Sequence, residues 1–289
     1  MRFGSRSAVP SSKPKQVILV LGVERSGTNR LLDIMRNLAE VEVRGEIFNP
    51  VSAGTIREND MIALGNLAGI KFGSPSDQHL IDFLRGNVLF SIRWLLDRMP
   101  LNKSLMSVKI FKSHVSHEII NEVLSAGIVS SVIFVNRRAI DCFVSLEKAD
   151  VSGQWWGADT THIRPILSLK KFAGYYLENQ NWLSPLPRLV RANGLPLTSL
   201  SYEKDIDCED SEFLSNLRTA LGMPNLSNSL SATSTITRQD QSASLSDKVE
   251  NWEEFKRDLK SNGLYDLAMQ PFPLELNEDR RITLAQIAY

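Results

Sequence analysis

Two hydrophobic rhythms run along this chain. Short apolar or β-branched runs at 15–21, 41–44, 105–111, 131–135 and 197–200 have the length and residue types of strands. The first is continuously apolar from Val17 to Leu21, as expected of a parallel strand buried on both faces. Between these runs the period lengthens to that of a helix. Leu31, Leu32, Met35, Leu38 and Ala39 share one face of a helix starting near Thr28. Ile119, Ile120, Val123 and Leu124 do the same over 116–125, with Ser116 as N-cap. Further helices are expected over 139–148, 167–183 and 211–221, the last stopped by Gly222 and Pro224. A final one is expected over 249–259, with Trp252, Phe255 and Leu259 on one face. Strands alternating with helices at this spacing predict an α/β fold, with helices covering a central parallel sheet.

Two stretches are less regular. In 52–103, Leu80, Phe83, Leu84, Ile92 and Leu95 give helical periodicity within an otherwise unpatterned region, which reads as a helical cap or insertion over the core. The segment 225–248 is polar and Ser/Thr-rich without a period, and reads as a mobile loop. The chain has 289 residues, 43% of them hydrophobic, enough for a single domain spanning 16–289. A flexible tail over 1–15 carries Arg2, Arg6, Lys13 and Lys15 and no acid.

Lys+Arg and Asp+Glu both number 33, so there is no global basic field and no general nucleic-acid binder is expected. An anionic ligand must be met by local basic residues. The two cysteines, Cys142 and Cys208, make neither a disulfide framework nor a CxxC metal pattern. They fit a reducing compartment, and a cytoplasmic location is expected. No segment is long and apolar enough to span a bilayer, and the tail lacks the apolar core of a secretory signal.

The chemistry collects at strand ends, where open parallel sheets bind ligands. The first strand turns through Gly22-Val23-Glu24-Arg25-Ser26-Gly27-Thr28 into a helix, which presents backbone N–H groups and a helix N-terminus to an anion. The lysine of a Walker A motif is missing, because Thr28 follows Gly27 directly. Three other strand ends carry Gly45-Glu46, Lys112-Ser113-His114 and Asn136-Arg137-Arg138. Arg, Lys, His and Glu at such positions suit transfer of an anionic group. Cations neutralise the donor, and a carboxylate or imidazole accepts a proton.

Arg25-Ser26-Gly27-Thr28 resembles the 5′-phosphosulfate loop of sulfotransferases that use 3′-phosphoadenosine 5′-phosphosulfate (PAPS). That family has a P-loop NTPase-like three-layer fold. Its second signature, an Arg at a strand end and a Ser eight residues on that hold the 3′-phosphate, is matched by Arg137 and Ser145. Gly45-Glu46 resembles the catalytic glutamate of the bacterial carbohydrate and tyrosyl-protein branches. Lys112-Ser113-His114 is similar to the Lys-Thr-His of the cytosolic small-molecule branch. Arg238-Gln239-Asp240, Lys248 and Asn251-Trp252 resemble the segment that folds over the nucleotide. The chain departs from the family pattern at Asn29 and Arg30, where a second Thr and an apolar or aromatic residue are common.

The resemblance implies sulfuryl transfer from PAPS to an acceptor hydroxyl, on a saccharide or glycoconjugate, without a metal. It implies that the N–H groups of Ser26 to Asn29 cradle the 5′-phosphate, that Arg137, Ser145 and Arg238 contact the 3′-phosphate, and that Arg25 with Lys109 or Lys112 stabilises leaving-group charge. Glu46 is then the base, with His114 the alternative. Other readings stand beside these. Glu46 could cap the turn at Asn49-Pro50, His114 could be structural, Arg138 could pair with Asp141, and Trp155-Trp156 could cover core rather than acceptor. At the level of function the rivals are a non-catalytic protein that binds PAP, the 3′,5′-bisphosphate left when PAPS loses its sulfuryl group, and a P-loop nucleotide kinase.

Overall fold

The computed structural model describes residues 14–155, 157–223, 234–236, 239–273 and 278–289. In chain order the elements are β1 (Gln16–Gly22), α1 (Thr28–Arg36), β2 (Val41–Gly45), α2 (Glu58–Ala68), α3 (Gln78–Gly86), α4 (Val88–Asp97), β3 (Leu105–Ile110), α5 (His117–Ser125) and β4 (Val129–Asn136). Then come α6 (Ala139–Ser152), α7 (Leu169–Leu183), α8 (Leu186–Ala192), β5 (Leu197–Ser201), a π-helical turn (Tyr202–Ile206), α9 (Asp210–Ala220), α10 (Leu245–Lys248), α11 (Trp252–Ser261), α12 (Tyr265–Ala268) and α13 (Glu278–Ala288).

The five strands form one sheet in the order β2-β3-β1-β4-β5, and every pairing is parallel. Alternation along β1 explains its unbroken apolar run. Val17, Leu19 and Leu21 enter one core, and Ile18 and Val20 enter another on the opposite face. The second core is filled by α1 and α9, the first by α4 to α8 and α11. This is the expected three-layer P-loop-type fold. From β1 the chain crosses to β2 on one side, and from β3 it crosses to β4 on the other. The order therefore reverses at β1, and the crevice at the carboxyl end of this strand is where such sheets bind ligands.

The segment 52–103 forms α2, α3 and α4, and its buried residues Met61, Leu64, Leu80, Leu84, Ile92 and Leu95 belong to the same core as β1. The periodicity over 80–96 resolves into two helices broken at Asn87, whose φ of −135° and ψ of 48° are not helical. A buried ion network joins α2 to the edge strand: Arg44, 1% exposed, meets Asp60 at 2.7 Å and Glu42 at 3.3 Å.

Several expectations are corrected. The helix at 139–148 runs on to Ser152 and is stopped by Gly153 in the left-handed conformation. The helix expected over 249–259 is not the last, since α12 and α13 follow it. Helix α8 was hidden by Pro185 and Pro187, which sit at its first positions, where a missing N–H costs nothing. Of the expected tail, 1–13 lie outside the described residues, but Lys15 is anchored through Nζ to the carbonyls of Asp97 (3.3 Å) and Met99 (2.9 Å). The stretch 225–248 also lies partly outside them. Its described parts are pinned: Asp33 of α1 accepts from Thr235 N at 2.7 Å, and Ser244 and Asp247 form a capping box on α10. Thr160 donates N–H to the Gln239 carbonyl at 2.7 Å, and Lys148 bridges the Thr160 carbonyl (3.0 Å) and Asp240 (2.8 Å). Among the described residues no helix is long and apolar enough to cross a membrane.

Candidate functional site

The loop after β1 bends because two residues adopt positive φ. Gly27, with φ 95°, is the N-cap of α1. A Cβ there would come within 2.3 Å of the Tyr202 ring, so no larger residue fits. Arg25 has φ 68°, which costs a non-glycine residue about 1–2 kcal/mol. The bend turns its carbonyl towards Arg137, whose Nη1 donates to it at 2.9 Å. The Ser26 hydroxyl closes the loop by donating to the Val23 carbonyl at 2.7 Å. The N–H groups of Thr28 and Asn29 open α1, and first-turn N–H groups have no acceptor within their helix. Paired left-handed bends followed by a helix N-terminus are a backbone geometry suited to an anion.

Two guanidiniums flank the loop. Arg25 donates Nε to Ser145 Oγ at 2.9 Å, Nη1 to the Trp155 carbonyl at 2.5 Å, and Nη2 to Gln239 Oε1. Arg137 lies 4.3 Å over the Tyr202 ring, and its Nε is buried without a partner. Among the described residues neither forms an ion pair with a carboxylate; their acceptors are neutral oxygens. Burial first, then repulsion from Arg137, weakens the hold of Arg25 on its proton. For Arg137 burial opposes the charge, but Asp141 and Glu203, beyond ion-pair distance, favour it.

On the other flank, β3 and the end of β2 bring charges together in pairs. Lys109, 2% exposed, projects from β3 on the α1 face. Its ammonium meets Glu46 Oε1 at 2.5 Å, Asn29 Oδ1 at 2.6 Å and Thr28 Oγ1 at 3.4 Å. Glu46 Oε2 accepts from Asn49 at 2.8 Å and faces His114 Nε2 at 3.6 Å. Burial would raise the proton affinity of Glu46, but His114, Lys109 and Asn49 outweigh it and hold the carboxyl well below the usual carboxylate range. The backbone N–H of Phe111 donates to His114 Nδ1 at 3.3 Å, which assigns the ring proton to Nε2, facing Glu46. His114 is 1% exposed, whereas the Glu46 side chain is 28% exposed. Of the two candidate bases, Glu46 is the more accessible, although both of its oxygens are engaged.

The fold thus gathers Arg25, Ser26, Gly27, Thr28, Asn29, Glu46, His114, Arg137 and Ser145 around one crevice. It does not bring Lys112 to Glu46, because Lys112 pairs at the surface with Glu178 at 2.9 Å. Lys112 lines a cavity of about 570 Å³ with Asp82, Arg85, Ser113, His114 and Ile119. Arg238 and Trp156 lie outside the described residues. Arg30 turns from the crevice to Asp210 (3.0 Å) and the Cys208 carbonyl (2.5 Å). Arg138 pairs with Asp141 at 2.5 Å. The side-chain amide of Asn251 brackets Leu167, accepting from its N–H at 2.8 Å and donating to its carbonyl at 2.9 Å. Tyr202, Gln239 and Asn49 were not anticipated as site residues. Asn49 had a signal, standing three residues after Glu46 in a turn, and Gln239 stands in the segment that resembles the one folding over the nucleotide; Tyr202 had none.

No protein-family model matches this sequence, and no curated protein sequence matches it. The structure is similar to a sulfotransferase domain from the curacin biosynthetic pathway, at 13% identity over 96% of this chain and 99% of that one, with a TM-score of 0.45. It is similar to the sulfotransferase domain of the Synechococcus PCC 7002 olefin synthase, at 14% identity over 97% of each chain and a TM-score of 0.39. It is also similar to mouse sulfotransferase SULT7A1 complexed with PAP, at 12% identity over 94% of this chain and 88% of that one, with a TM-score of 0.38.

Proposed function

We propose that this chain is a PAPS-dependent sulfotransferase acting on an acceptor hydroxyl. The observation that supports the reading most is the asymmetry of charge around the glycine loop. Arg25 and Arg137 flank the loop with no carboxylate at ion-pair distance among the described residues, and the Nε of Arg137 is buried and unpartnered. Those residues fit a ligand with two separated anionic groups. The N–H groups of Thr28 and Asn29 with Arg25 suit the 5′-phosphosulfate, and Arg137 with Ser145 suits the 3′-phosphate.

PAPS supplies a sulfuryl group on a phosphate leaving group. The acceptor O–S bond forms as the phosphate O–S bond breaks, and the electron pair of that bond goes to phosphate. The protein positions and stabilises charge, as in phosphoryl transfer. Glu46 takes the hydroxyl proton. Lys109 and Arg25 hold the charge growing on the leaving oxygen, and Lys109 fills this role rather than Lys112 because it reaches both Asn29 and Glu46. His114 orients Glu46 through its Nε2 proton. A saccharide or glycoconjugate acceptor rests on the resemblance carried by Gly45-Glu46, and the cavity beside Lys112 and His114 offers it room.

Transfer of label from ³⁵S-PAPS to a panel of saccharide, lipid and phenol acceptors tests the activity. Thermal stabilisation by PAP, and none by ATP with Mg²⁺, is the expected binding result. Stabilisation by ATP and Mg²⁺ without stabilisation by PAP would sink the reading.

A further inference from the structure

We infer that an anion seated on the glycine loop frees the base, because Lys109 is one ammonium shared between that loop and Glu46. The inference rests on the sulfotransferase reading and adds a control to it.

The geometry is specific. Three acceptors converge on Lys109 Nζ: Asn29 Oδ1 at 2.6 Å and Thr28 Oγ1 at 3.4 Å from the loop side, and Glu46 Oε1 at 2.5 Å from the strand β2 side. Lysine has three N–H donors, so the set is full. The ring of Phe111 lies 4.9 Å from the ammonium, and burial keeps out water that could replace a lost partner. An anion at the N–H groups of Thr28 and Asn29 lies against this ammonium and competes with Glu46 for it. The charged groups facing the pair are few. His114 faces Glu46 from the loop after β3, and Arg25 and Arg36 act on Lys109 from the glycine loop and α1. Of these, only Lys109 touches both loop and base.

With the loop empty, Lys109 and His114 clamp Glu46 as a weak base. With the loop filled, the Lys109 share is withdrawn and the anion adds a like charge nearby. Both changes raise the proton affinity of Glu46. Proton removal from the acceptor is thereby tied to prior binding of the donor.

The test is a ¹³C NMR titration of the glutamate side-chain carboxyls, with Glu46 identified as the signal absent from Glu46→Gln. It is run on the free protein, on the protein saturated with PAP, and on Lys109→Met, with calorimetry confirming PAP occupancy. PAP is expected to raise the Glu46 midpoint by about one to three units. Free Lys109→Met is expected to start from a raised midpoint and to gain less from PAP. PAP bound with the Glu46 midpoint unmoved overturns this inference and leaves the sulfotransferase reading standing. So does a Lys109→Met midpoint equal to that of the free wild type. Absence of PAP binding overturns both. Should Lys109→Met not fold, the wild-type pair of titrations decides alone.

Discussion

The two flanks of the crevice solve the burial of charge in opposite ways. Around β1 and β4, the half-buried Arg25 and Arg137 face neutral oxygens and an aromatic ring, with no carboxylate at ion-pair distance among the described residues, and Asp141 and Glu203 act on Arg137 from farther off. Around β2 and β3, every buried charge has an opposite beside it: Lys109 with Glu46, and Arg44 with Glu42 and Asp60. Paired charges hold structure and set proton affinity, whereas cations without an ion-pair partner are, under the proposed function, the ones an external anion would meet.

The contrast can be broken at several points. The largest effect is expected on the paired side. Asp60→Ala leaves Arg44 buried with a weakened partner set, and should cost about 3–5 kcal/mol of stability in urea denaturation. A loss below 1 kcal/mol would mean the network does not carry the α2 attachment. On the unpaired side, Arg137→Ala should weaken PAP binding by about 2–5 kcal/mol in calorimetry. Equal affinity in the variant would remove the case for a 3′-phosphate site there.

Glu46→Gln should keep PAP binding yet lower turnover by about 10²-fold or more. Full turnover with Glu46→Gln, together with loss in His114→Ala, would move the base to His114. The same variant sharpens the comparison through pH. Because Glu46 is held below the usual carboxylate range, its contribution to stability is complete above the ordinary glutamate pKa of about 4.3. It is lost as pH falls through the lower folded value, so Glu46→Gln should flatten the acid limb of the stability curve. On the arginine flank Asp141, against its burial, is likewise held below its ordinary value by Arg137 and Arg138, so the Glu46→Gln difference is read against an acid limb that Asp141 keeps. The smallest effect is expected at Lys112→Ala, whose surface pair with Glu178 should be worth about 0–1 kcal/mol. A large loss of turnover there would restore Lys112 to the site.

The sheet was legible because β1 is apolar without interruption, and the donor flank because Arg137 and Ser145 stand at a fixed spacing that a single helix keeps. The paired flank was less legible. Lys109 is the one charge in a strand that is apolar but for Ser107, and a charge there can be buried only if it is paired, which adds to the resemblance that offered Lys109 or Lys112. Its pairing with both Asn29 and Glu46 depends on the lateral order of β2, β3 and β1, which periodicity does not encode. Helix α2 escaped notice because only Asp60, Met61, Leu64 and Gly65 of its eleven residues are buried. The contacts of Arg25 with the Trp155 carbonyl and with Gln239 come from segments 130 and 214 residues away, and one uses a backbone oxygen that carries no sequence identity.

Those contacts of Arg25 bear on how a catalytic cycle would finish. Its three acceptors come from three segments: α6, the stretch after it, and the strand of chain clasped to Thr160. When a bound anion departs, the guanidinium can pass directly to oxygens already fixed nearby, without waiting for water to enter a buried crevice. Under the proposed function, product exit would be an exchange of partners, with Gln239 and the Trp155 carbonyl holding the guanidinium once the anion has left.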